Sequence, residues 1–364
     1  MKPDKKIRYG VVGGGWISQA AFMPGVKATG NSVLTAIVTG DSTKAEALGR
    51  RYGIERAYHY DAYLAALDSG GFDAIYLALP NFQHRQFAIP ALERGIHVLL
   101  EKPMATSEQD CREIIDAARR GRAKLMIAYR LHFEPGTLEA IRIAQSGALG
   151  RLSTFSSTFT QHVEDGNHRA QNGFWSGPVA DMGTYPINAV RNLFHAEPSE
   201  IMAWGTNTRG FGFHDTVSVT LRFPEDRLAH FTVGYGLTNV DEYRIVGDAG
   251  TLRVAPGFTL EDGLHHTLTV GESTTETDFR AIDQFAGETA YFSDCILEGR
   301  DPEPDGEEGL LDVRVLAAIE ESLATGRAQE LAPAYRNKHA MPDQRSDFPP
   351  AGKVSLIHAA PPAG

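Results

Sequence analysis

Three consecutive residues, Glu101-Lys102-Pro103, carry the strongest chemical signal of the sequence and directly follow the apolar run 97–100. If that run is a parallel strand, Lys102 projects from its carboxyl end, where open α/β sheets bind their ligands. Pro103 has a fixed φ and favours an extended backbone at Lys102, so the ammonium group is held in one direction. The alternative is a surface lysine paired with Glu101. The motifs on either side favour the ligand-binding interpretation.

The turn Gly13-Gly14-Gly15-Trp16-Ile17-Ser18 follows a predicted strand at 7–12 and precedes a helical pattern. This order is the dinucleotide fingerprint. Gly13 allows the tight turn, Gly15 lets the backbone approach a pyrophosphate, and Ser18 is small enough for close packing of helix on strand. The phosphates would bind at the helix N-terminus, where unpaired amides favour negative charge. The sequence therefore predicts a bound dinucleotide.

The choice of cofactor depends on the end of the second predicted strand, 33–38. Folds that bind NAD usually have an acidic residue there for the ribose 2′-hydroxyl, whereas NADP requires cations or hydroxyl groups for a phosphate. Thr39 stands where the acid is expected, and Lys44 can reach a phosphate. These residues favour NADP. Asp41 keeps NAD possible.

A proton must leave the substrate hydroxyl when a hydride moves from carbon to nicotinamide, so the site needs a group that accepts it. Tyr185 is a candidate because a neighbouring ammonium, Lys102, would favour its phenolate. Asp181, four residues earlier, would orient the sugar or the lysine. The alternatives are a half-buried structural tyrosine and a carboxylate at a helix N-terminus. This assignment requires Lys102 and Tyr185 to meet at one nicotinamide ring.

Other signals are weaker. Arg130 and His132 end a predicted strand at 125–129 and could contact the ligands, although a structural histidine is equally compatible. Trp175 could stack on a sugar ring or belong to a core. His265-His266 suggests an exposed turn. No metal-binding motif is present, and hydride transfer needs no metal.

Composition excludes several classes of function. The 364-residue chain has a formal charge of −11 and no basic cluster, which argues against nucleic acid and against an anionic membrane surface. No apolar signal segment precedes the first strand, and no stretch is long enough to cross a bilayer. Cys111 and Cys295 form no Cys-x-x-Cys pair, which fits a reducing compartment. We therefore expect a cytoplasmic protein with a small-molecule ligand.

Strands alternate with helices through the first third of the chain, which predicts an α/β domain with a parallel sheet. The predicted elements include a helix at 42–52, a buried strand at 72–79, a helix containing Pro90, and a helix that begins at a capping box of Thr106 and Gln109 and ends at Gly121. We assign residues 1–130 to this Rossmann domain, together with closing helices within 285–330.

After residue 150 the pattern changes to polar and apolar residues in alternation, which predicts an open, mostly antiparallel β-sheet over 131–345. The alternating segments are 217–223 and 229–235, and 243–246 is expected to pair with 251–254. One helix, 185–194, interrupts the strands. A sheet covered by helices on one face has its other face available to a second copy, so we expect a homodimer or homotetramer. The proline-rich tail 346–364 is predicted to be disordered or to lie on a neighbour.

Five ordered motifs together resemble the glucose-fructose oxidoreductase family (Gfo/Idh/MocA). They are Gly13-x-Gly15-Trp16-Ile17, Pro80-Asn81-x-x-His84, Glu101-Lys102-Pro103, Tyr129-Arg130-Leu131-His132-Phe133-Glu134-Pro135, and Asp181-Met182-Gly183-Thr184-Tyr185-Pro186-Ile187-Asn188. The resemblance extends over residues 7 to about 330. It implies an NAD(P)-binding Rossmann domain, an open-faced β-sheet domain, and oxidation or reduction of sugars or related polyols.

The resemblance also implies roles for individual residues. Lys102 would lie near the nicotinamide and the reacting hydroxyl, with Asp181 and Tyr185 facing the substrate. The remaining cofactor-binding residues would be Gly13, Gly15, Trp16, Ile17, Thr39, Lys44, Leu79, Pro80, Asn81, His84, Glu101 and Arg130. Substrate specificity would depend on loops such as 161–176.

Much of the family has histidine at the position of Tyr185. A tyrosine is similar to glucose-fructose oxidoreductase itself, to aldose dehydrogenases and to dimeric dihydrodiol dehydrogenase. Unlike glucose-fructose oxidoreductase, this chain has no export signal or amino-terminal arm that could cover the cofactor, so we expect an exchangeable cofactor. Two alternatives within the same fold are a non-catalytic nucleotide- or sugar-sensing regulator and an NAD-using glycosidase. Lys102 together with Tyr185 argues against the regulator, and Tyr185 argues against the glycosidase.

Overall fold

The computed structural model describes residues 5–163, 173–336 and 338–361, and these form two compact units. The first unit contains the chain up to Phe133 together with Asp283–Leu310 and Ser346–Pro361. The second contains Glu134–Ile282 and Leu311–Arg345. Part of the predicted specificity loop, 164–172, lies outside the described residues.

Within the described residues, the first unit has a six-stranded parallel sheet, as its alternating pattern predicts. Its elements are β1 (Ile7–Val12), α1 (Met23–Ala28), β2 (Ser32–Val38), α2 (Ser42–Tyr52), β3 (Arg56–Tyr58), α3 (Tyr63–Asp68), β4 (Ala74–Leu77), α4 (His84–Glu93), β5 (His97–Leu100), α5 (Glu108–Gly121) and β6 (Leu125–Ile127). The strand order is β3-β2-β1-β4-β5-β6. This is the order of a dinucleotide-binding fold, in which ligands bind outside the carboxyl ends of the strands.

Local sequence determines where these elements end. Asp41 caps α2 by accepting a hydrogen bond from the Lys44 amide, and Gly53 ends that helix with a left-handed φ of 69°. The strands predicted at 72–79 and 125–129 are shorter in the structure, where they span Ala74–Leu77 and Leu125–Ile127. The helix α4 continues through Pro90.

The predicted capping box of Thr106 and Gln109 is wrong. The side chain of Ser107 accepts a hydrogen bond from the amide of Asp110, so Ser107 is the N-cap of α5 and the helix begins at Glu108. Ser107 has φ −154° and ψ 155°, the extended backbone typical of an N-cap. The side chain of Gln109 instead bonds to Glu113, one turn further along the helix.

Within the described residues, the second unit has a nine-stranded, mostly antiparallel sheet. Its elements are α6 (Pro135–Gln145), β7 (Leu152–His162), α7 (Thr184–Phe194), β8 (Glu200–Thr206), β9 (Thr216–Phe223), β10 (Arg227–Gly234), β11 (Gly236–Gly247), β12 (Gly250–Val254), β13 (His265–Val270), β14 (Ser273–Asp278) and β15 (Gln329–Glu330). The order is β14-β13-β12-β11-β7-β10-β9-β8-β15, with β10 and β7 parallel.

The alternation predicted for β9 and β10 is confirmed. Val217, Val219, Leu221 and Phe223 are buried, as are Ala229, Phe231, Val233 and Tyr235. The pairing of 243–246 with 251–254 is also confirmed, with Ile245 opposite Leu252. On the other face of the sheet, Trp204 in β8 and Leu228 in β10 are exposed.

The predicted exposed turn at His265-His266 is wrong, since both residues lie in β13. His266 is 2% exposed, and its ring packs against Phe279 with 4.6 Å between centroids. Antiparallel pairing of β13 with β12 sets His266 opposite Val254, and both side chains are buried. Burial lowers the pKa of His266 to about 4, so the ring is neutral.

Two closing helices follow the sheet, α8 (Gln284–Glu298) and α9 (Gly306–Thr325). The sequence assigns both to the first domain, whereas only α8 and the chain to Leu310 group with the first unit. The rest of α9 groups with the second unit, where buried Asp312 accepts hydrogen bonds from Arg191 and Asn188 on α7. A fully desolvated carboxylate needs such partners.

Candidate active site

The glycine turn after β1 has the backbone geometry that a dinucleotide requires. Gly13 has φ of +100°, and a Cβ there would lie 2.4 Å from the carbonyl oxygen of Ala78, so no larger residue fits. The hydroxyl of Ser18 donates to the carbonyl of Gly13 at 2.6 Å. The turn is therefore tight, and Ser18 holds its start.

Gly15 has open space where Gly13 has none. No described atom outside its immediate chain neighbours lies within 4 Å of a Cβ built on Gly15. The helical turn that follows closes with a bond from the Gln19 amide to the Gly15 carbonyl at 3.2 Å. The amides of Trp16 and Ile17 precede that bond and have no intrahelical acceptor. Open space beside such amides fits a pyrophosphate.

The end of β2 carries Thr39, Asp41 and Lys44. Thr39 is buried, with its amide bonded to the carbonyl of Tyr58. The stem of Lys44 crosses Gly14, with its Cδ 3.0 Å from the position of a Gly14 Cβ. One oxygen of Asp41 accepts a hydrogen bond from the Lys44 amide at 2.9 Å. This bond lowers the pKa of the Asp41 carboxyl group. A hydroxyl and an ammonium group near the glycine turn fit a 2′-phosphate.

His84 connects the loops after β4 and β5. Its Nε2 lies 2.8 Å from the carbonyl oxygen of Leu79, and its Nδ1 lies 3.1 Å from that of Pro103 and 3.2 Å from that of Met104. Burial lowers the pKa of His84 to about 4, which the three carbonyl groups oppose. The structure thus places His84 between the two loops. Asn81 lies half-buried in the short 3₁₀ turn after exposed Pro80.

Glu101 fixes the backbone at Lys102. The Tyr76 hydroxyl donates to one carboxylate oxygen of Glu101 at 2.6 Å, and the Lys102 amide donates to the other at 3.2 Å. Burial raises the pKa of Glu101, while Tyr76 and the charges of Lys102 and Arg130 lower it. Lys102 is half-buried at the carboxyl end of β5, as predicted. Glu101 therefore interacts with Lys102 in two ways. Its carboxylate accepts a hydrogen bond from the Lys102 backbone amide, and its charge interacts with that of the lysine side chain.

Arg130 lies at the end of β6 among buried polar groups of α8. It is 8% exposed and donates to the side chain of Gln284. Glu288, on the same helix, is fully buried, and neither carboxylate oxygen has a hydrogen-bond partner in the described residues. Burial raises the pKa of Glu288 well above its ordinary value, nearby Glu101 raises it further, and Arg130 opposes the shift. These surroundings therefore favour the protonated form of Glu288.

Asp181 and Tyr185 lie at the start of α7 in the second unit. Asp181 belongs to a single π-turn, Val179–Gly183, that leads directly into α7. The hydroxyl of Tyr235 donates to Asp181 Oδ2 at 2.9 Å. Because Tyr235 is fully buried directly after β10, it holds this carboxylate in place. Asp181 and Tyr185 are both half-buried.

Aromatic residues surround the Tyr185 ring. Phe159 meets it edge-on with 5.6 Å between centroids, and Phe258 lies at 5.9 Å. Such packing fixes the ring. Trp175 is held separately, because its indole N–H donates to Glu320 on α9 at 3.0 Å, and burial raises the pKa of Glu320. His132 is buried and stacks on Tyr129 at 5.5 Å, which fits the structural alternative.

Three contributors to the site were not predicted: Gln19, Tyr76 and Tyr235. The sequence contains a signal for the two tyrosines. Tyr76 lies in a buried strand, Tyr235 continues the apolar alternation of 229–235 just after β10, and a buried tyrosine hydroxyl normally has a partner. Nothing in the sequence identifies Gln19, whose partners are a backbone carbonyl in the glycine turn and the distant residue Ile357.

No group of three or more His, Cys, Asp or Glu side chains in the described residues could hold a metal ion. No described helix is both long and apolar enough to cross a membrane.

Comparison with known proteins gives two matching family models. Residues 7–129 match the model described as the Gfo/Idh/MocA oxidoreductase family with an NAD-binding Rossmann fold. Residues 137–253 match the C-terminal domain of the same family.

Individual relatives align over most of the chain. An NADP(+) D-xylose 1-dehydrogenase of Haloferax volcanii is 30% identical over 330 residues, which is 89% of this chain and 100% of that protein. A second one, from Haloarcula marismortui, is 29% identical over 88% of this chain and 92% of its own length. The crystal structure of the aldose-aldose oxidoreductase of Caulobacter crescentus is 31% identical, covers 90% of this chain and 100% of its own, and has a TM-score of 0.84.

Proposed function

We propose that this chain, which belongs to the Gfo/Idh/MocA family of oxidoreductases, transfers a hydride between NADP and a sugar or related polyol. The observation that carries the proposal is the glycine turn, where Gly13 is sterically required and Gly15 faces open space. Two NADP(+)-dependent xylose dehydrogenases that align over nearly nine-tenths of the chain support an aldose as substrate.

The bound nicotinamide supplies or accepts the hydride. A residue of the chain would then accept the proton of the substrate hydroxyl during oxidation, or donate it during reduction. We assign this to Tyr185, with Lys102 lowering the cost of the phenolate through its positive charge. Asp181 orients the sugar hydroxyls or the lysine and is itself held by Tyr235. Glu101 fixes the backbone at Lys102.

NADP is preferred to NAD for a physical reason. An acidic residue that binds the ribose 2′-hydroxyl needs a free oxygen directed at the ribose. Asp41 caps α2 with one oxygen, and its other oxygen lies 2.7 Å from His358 Nδ1. Thr39 and Lys44 offer a hydroxyl and a charge instead. Trp16, Ile17, Leu79, Pro80, Asn81, His84 and Arg130 stay assigned to the cofactor as part of this proposal.

The test is a panel of aldoses, ketoses and trans-dihydrodiols, each offered with NADP and with NAD, with reduced cofactor followed by absorbance. We expect turnover with an aldose and NADP. Lys102→Met and Tyr185→Phe should each lower kcat by about 10²- to 10⁴-fold, the usual contribution of acid-base catalysis. Lys27→Met and Tyr335→Phe are matched controls, because both residues are exposed and should leave kcat unchanged.

Two results would contradict the proposal. Wild-type protein that binds neither dinucleotide would remove the redox function altogether. Full turnover in Lys102→Met and Tyr185→Phe would leave the redox function in place but remove the proton-transfer assignment.

We also propose that the open face of the second sheet pairs two copies of the chain as a homodimer or homotetramer. Trp204 and Leu228 are 59% and 42% exposed on that face, on strands that flank β9. Trp204→Glu should lower the mass measured by light scattering. Leu64→Glu, which changes an exposed residue of α3, should leave that mass unchanged. A monomeric wild-type protein would refute this assembly.

The reaction is proposed to occur in the cytoplasm. Cys111 and Cys295 are both free and buried, which fits a reducing compartment. Fractionation of cells should recover the protein with cytoplasmic markers.

A further inference from the structure

The carboxyl-terminal segment 346–361 belongs to the first unit. The Ser346 amide donates to the Phe133 carbonyl at 3.0 Å, and the Asp283 amide donates to the Phe348 carbonyl at 2.8 Å. These bonds hold the beginning of the segment. Residues 355–358 then lie against the elements that carry the glycine turn and the end of β2. The proline-rich sequence predicted neither the contacts at the beginning of the segment nor the position of residues 355–358.

Gln19 attaches this segment to the glycine turn. Its side chain is fully buried. The amide nitrogen donates to the carbonyls of Gly14 and Ile357, both at 2.9 Å, and the amide oxygen accepts from the Ile357 amide at 2.8 Å. A single side chain therefore connects Ile357 to Gly14, the middle residue of the turn. A buried carboxamide without these partners would be costly, so the contact is specific.

Two more contacts hold the segment beside α2. Arg51 donates from Nη1 to the carbonyl of Ser355 at 2.7 Å. His358, which has a left-handed φ of 46°, has its Nδ1 2.7 Å from Asp41 Oδ2. Residues 355–358 thus contact the N-cap and the last turn of α2 directly and are linked to the glycine turn through Gln19. In dinucleotide folds the glycine turn holds the pyrophosphate, and the region at the end of β2 holds the ribose 2′ group.

The contact with Asp41 has an electrostatic consequence. A carboxylate at the end of β2 suits a ribose 2′-hydroxyl and repels a 2′-phosphate. His358 occupies the Asp41 oxygen that the N-cap bond leaves open. In its protonated form an imidazole donates from both ring nitrogens, so Nε2 can donate to a phosphate while Nδ1 donates to Asp41. The stem of Lys44 crosses the same turn at Gly14 and carries a positive charge.

We propose that residues 355–358 form part of the nucleotide-binding site and that His358 determines cofactor specificity, by pairing with Asp41 and so making the end of β2 accept a 2′-phosphate. This inference rests on the proposed use of NADP and adds a residue more than 300 positions away in sequence. It differs from a blocking role, in which the segment would compete with the nucleotide.

The test measures binding, with no dependence on turnover. Isothermal titration of the full-length protein with 2′,5′-ADP and with 5′-AMP isolates the contribution of the 2′-phosphate. His358→Ala should weaken 2′,5′-ADP binding about tenfold, the effect of one charge-assisted contact, and change 5′-AMP binding less than about twofold. His265→Ala is the matched control, because His265 Nδ1 lies at the same 2.7 Å from Asp278 but in the second unit.

A double variant tests the role of Asp41 directly. Asp41→Asn keeps a side chain that caps helices as well as aspartate does, but it removes the negative charge. Adding it to His358→Ala should restore 2′,5′-ADP binding to within about threefold of wild type. Removal of the chain after Gly352 should weaken 2′,5′-ADP binding at least as much as His358→Ala.

Each result is decisive. Binding of 2′,5′-ADP that is unchanged in both His358→Ala and the shortened chain overturns the inference while leaving NADP as the cofactor. Tighter binding in either variant also overturns it and indicates that the segment obstructs the site. Failure of the wild-type protein to bind NADPH or NADH, followed by fluorescence, would instead refute the proposed function.

Discussion

Substitution of the buried Glu288 by glutamine is expected to remove a pH-dependent destabilisation of the first unit. Glu288 is 0% exposed, and neither oxygen has a hydrogen-bond partner in the described residues. Burial is the main cause of its raised pKa, and the charge of Glu101 adds to it. Glutamine has nearly the same volume and no charge, so Glu288→Gln isolates the ionisation.

The direction and size of the effect follow from proton linkage. Above the ordinary pKa of 4.5 the unfolded chain loses the Glu288 proton, whereas the folded protein keeps it up to the raised value. The contribution of Glu288 to stability is therefore fully present below pH 4.5. It is lost as the pH rises from 4.5 to the raised pKa of the folded protein. The slope is about 1.4 kcal/mol per pH unit. For a unit of this size it corresponds to a change in Tm of about 3–6 °C per pH unit.

The assay is thermal unfolding of wild type and Glu288→Gln at pH values between about 5 and 8. The Tm of Glu288→Gln should exceed that of wild type by an amount that increases with pH. Glu298→Gln is the matched control, because Glu298 lies on the same helix, is exposed and pairs only with Arg300 among the described residues. Infrared difference spectra should also show a carboxylic-acid band in wild type that Glu288→Gln lacks. Parallel pH profiles, or the absence of that band at neutral pH, would show that Glu288 is ionised and the reasoning wrong.

Three further predictions concern single positions. Gly13→Ala should destabilise the protein by roughly 1–3 kcal/mol, since it combines positive φ with a 2.4 Å contact, whereas Gly15→Ala should keep the wild-type Tm and lose dinucleotide affinity in titrations. Equal loss of Tm in both would contradict the steric argument. Tyr235→Phe removes the bond to Asp181 and should lower kcat/KM about fivefold with little change in Tm. An unchanged kcat/KM would mean that Asp181 needs no such support. Ser107→Ala should cost about 1 kcal/mol as a lost N-cap, measured by thermal unfolding, and Thr106→Ala should cost almost nothing. The opposite order would restore the capping box predicted from the sequence.

The parallel sheet could be predicted because its signals are local. Each strand is a short apolar run, and each helix begins or ends at a residue with a clear preference, such as Asp41 before α2 and Gly53 after it. The alternation in β9 and β10 is equally local, since a period of two residues identifies one buried face. Where two neighbouring residues both have capping side chains, as Thr106 and Ser107 do, the sequence does not decide between them.

Long-range partners could not be predicted. The group of Glu101, Arg130 and Glu288 combines residues from two strand ends and a helix that follows strands β7–β14 of the second sheet. His266 looked exposed because two adjacent histidines are polar, but the pairing of β13 with β12 buries it. The partners of the tail could not be predicted for a similar reason. Its proline content suggested disorder or an arm on a neighbour, whereas residues 355–358 bond to Gln19, Asp41 and Arg51.

The late position of α8 in the chain has a consequence for biosynthesis. Ser293 on α8 bonds to Tyr9 at 2.9 Å and to Ser32 at 2.8 Å, so the first two strands have a partner that is translated long after them. At ordinary elongation rates, about 5–20 residues per second, the interval from Phe133 to Leu310 is roughly 10–35 s. The first unit therefore starts first on the ribosome but receives α8 only after strands β7–β14 of the second sheet have been translated.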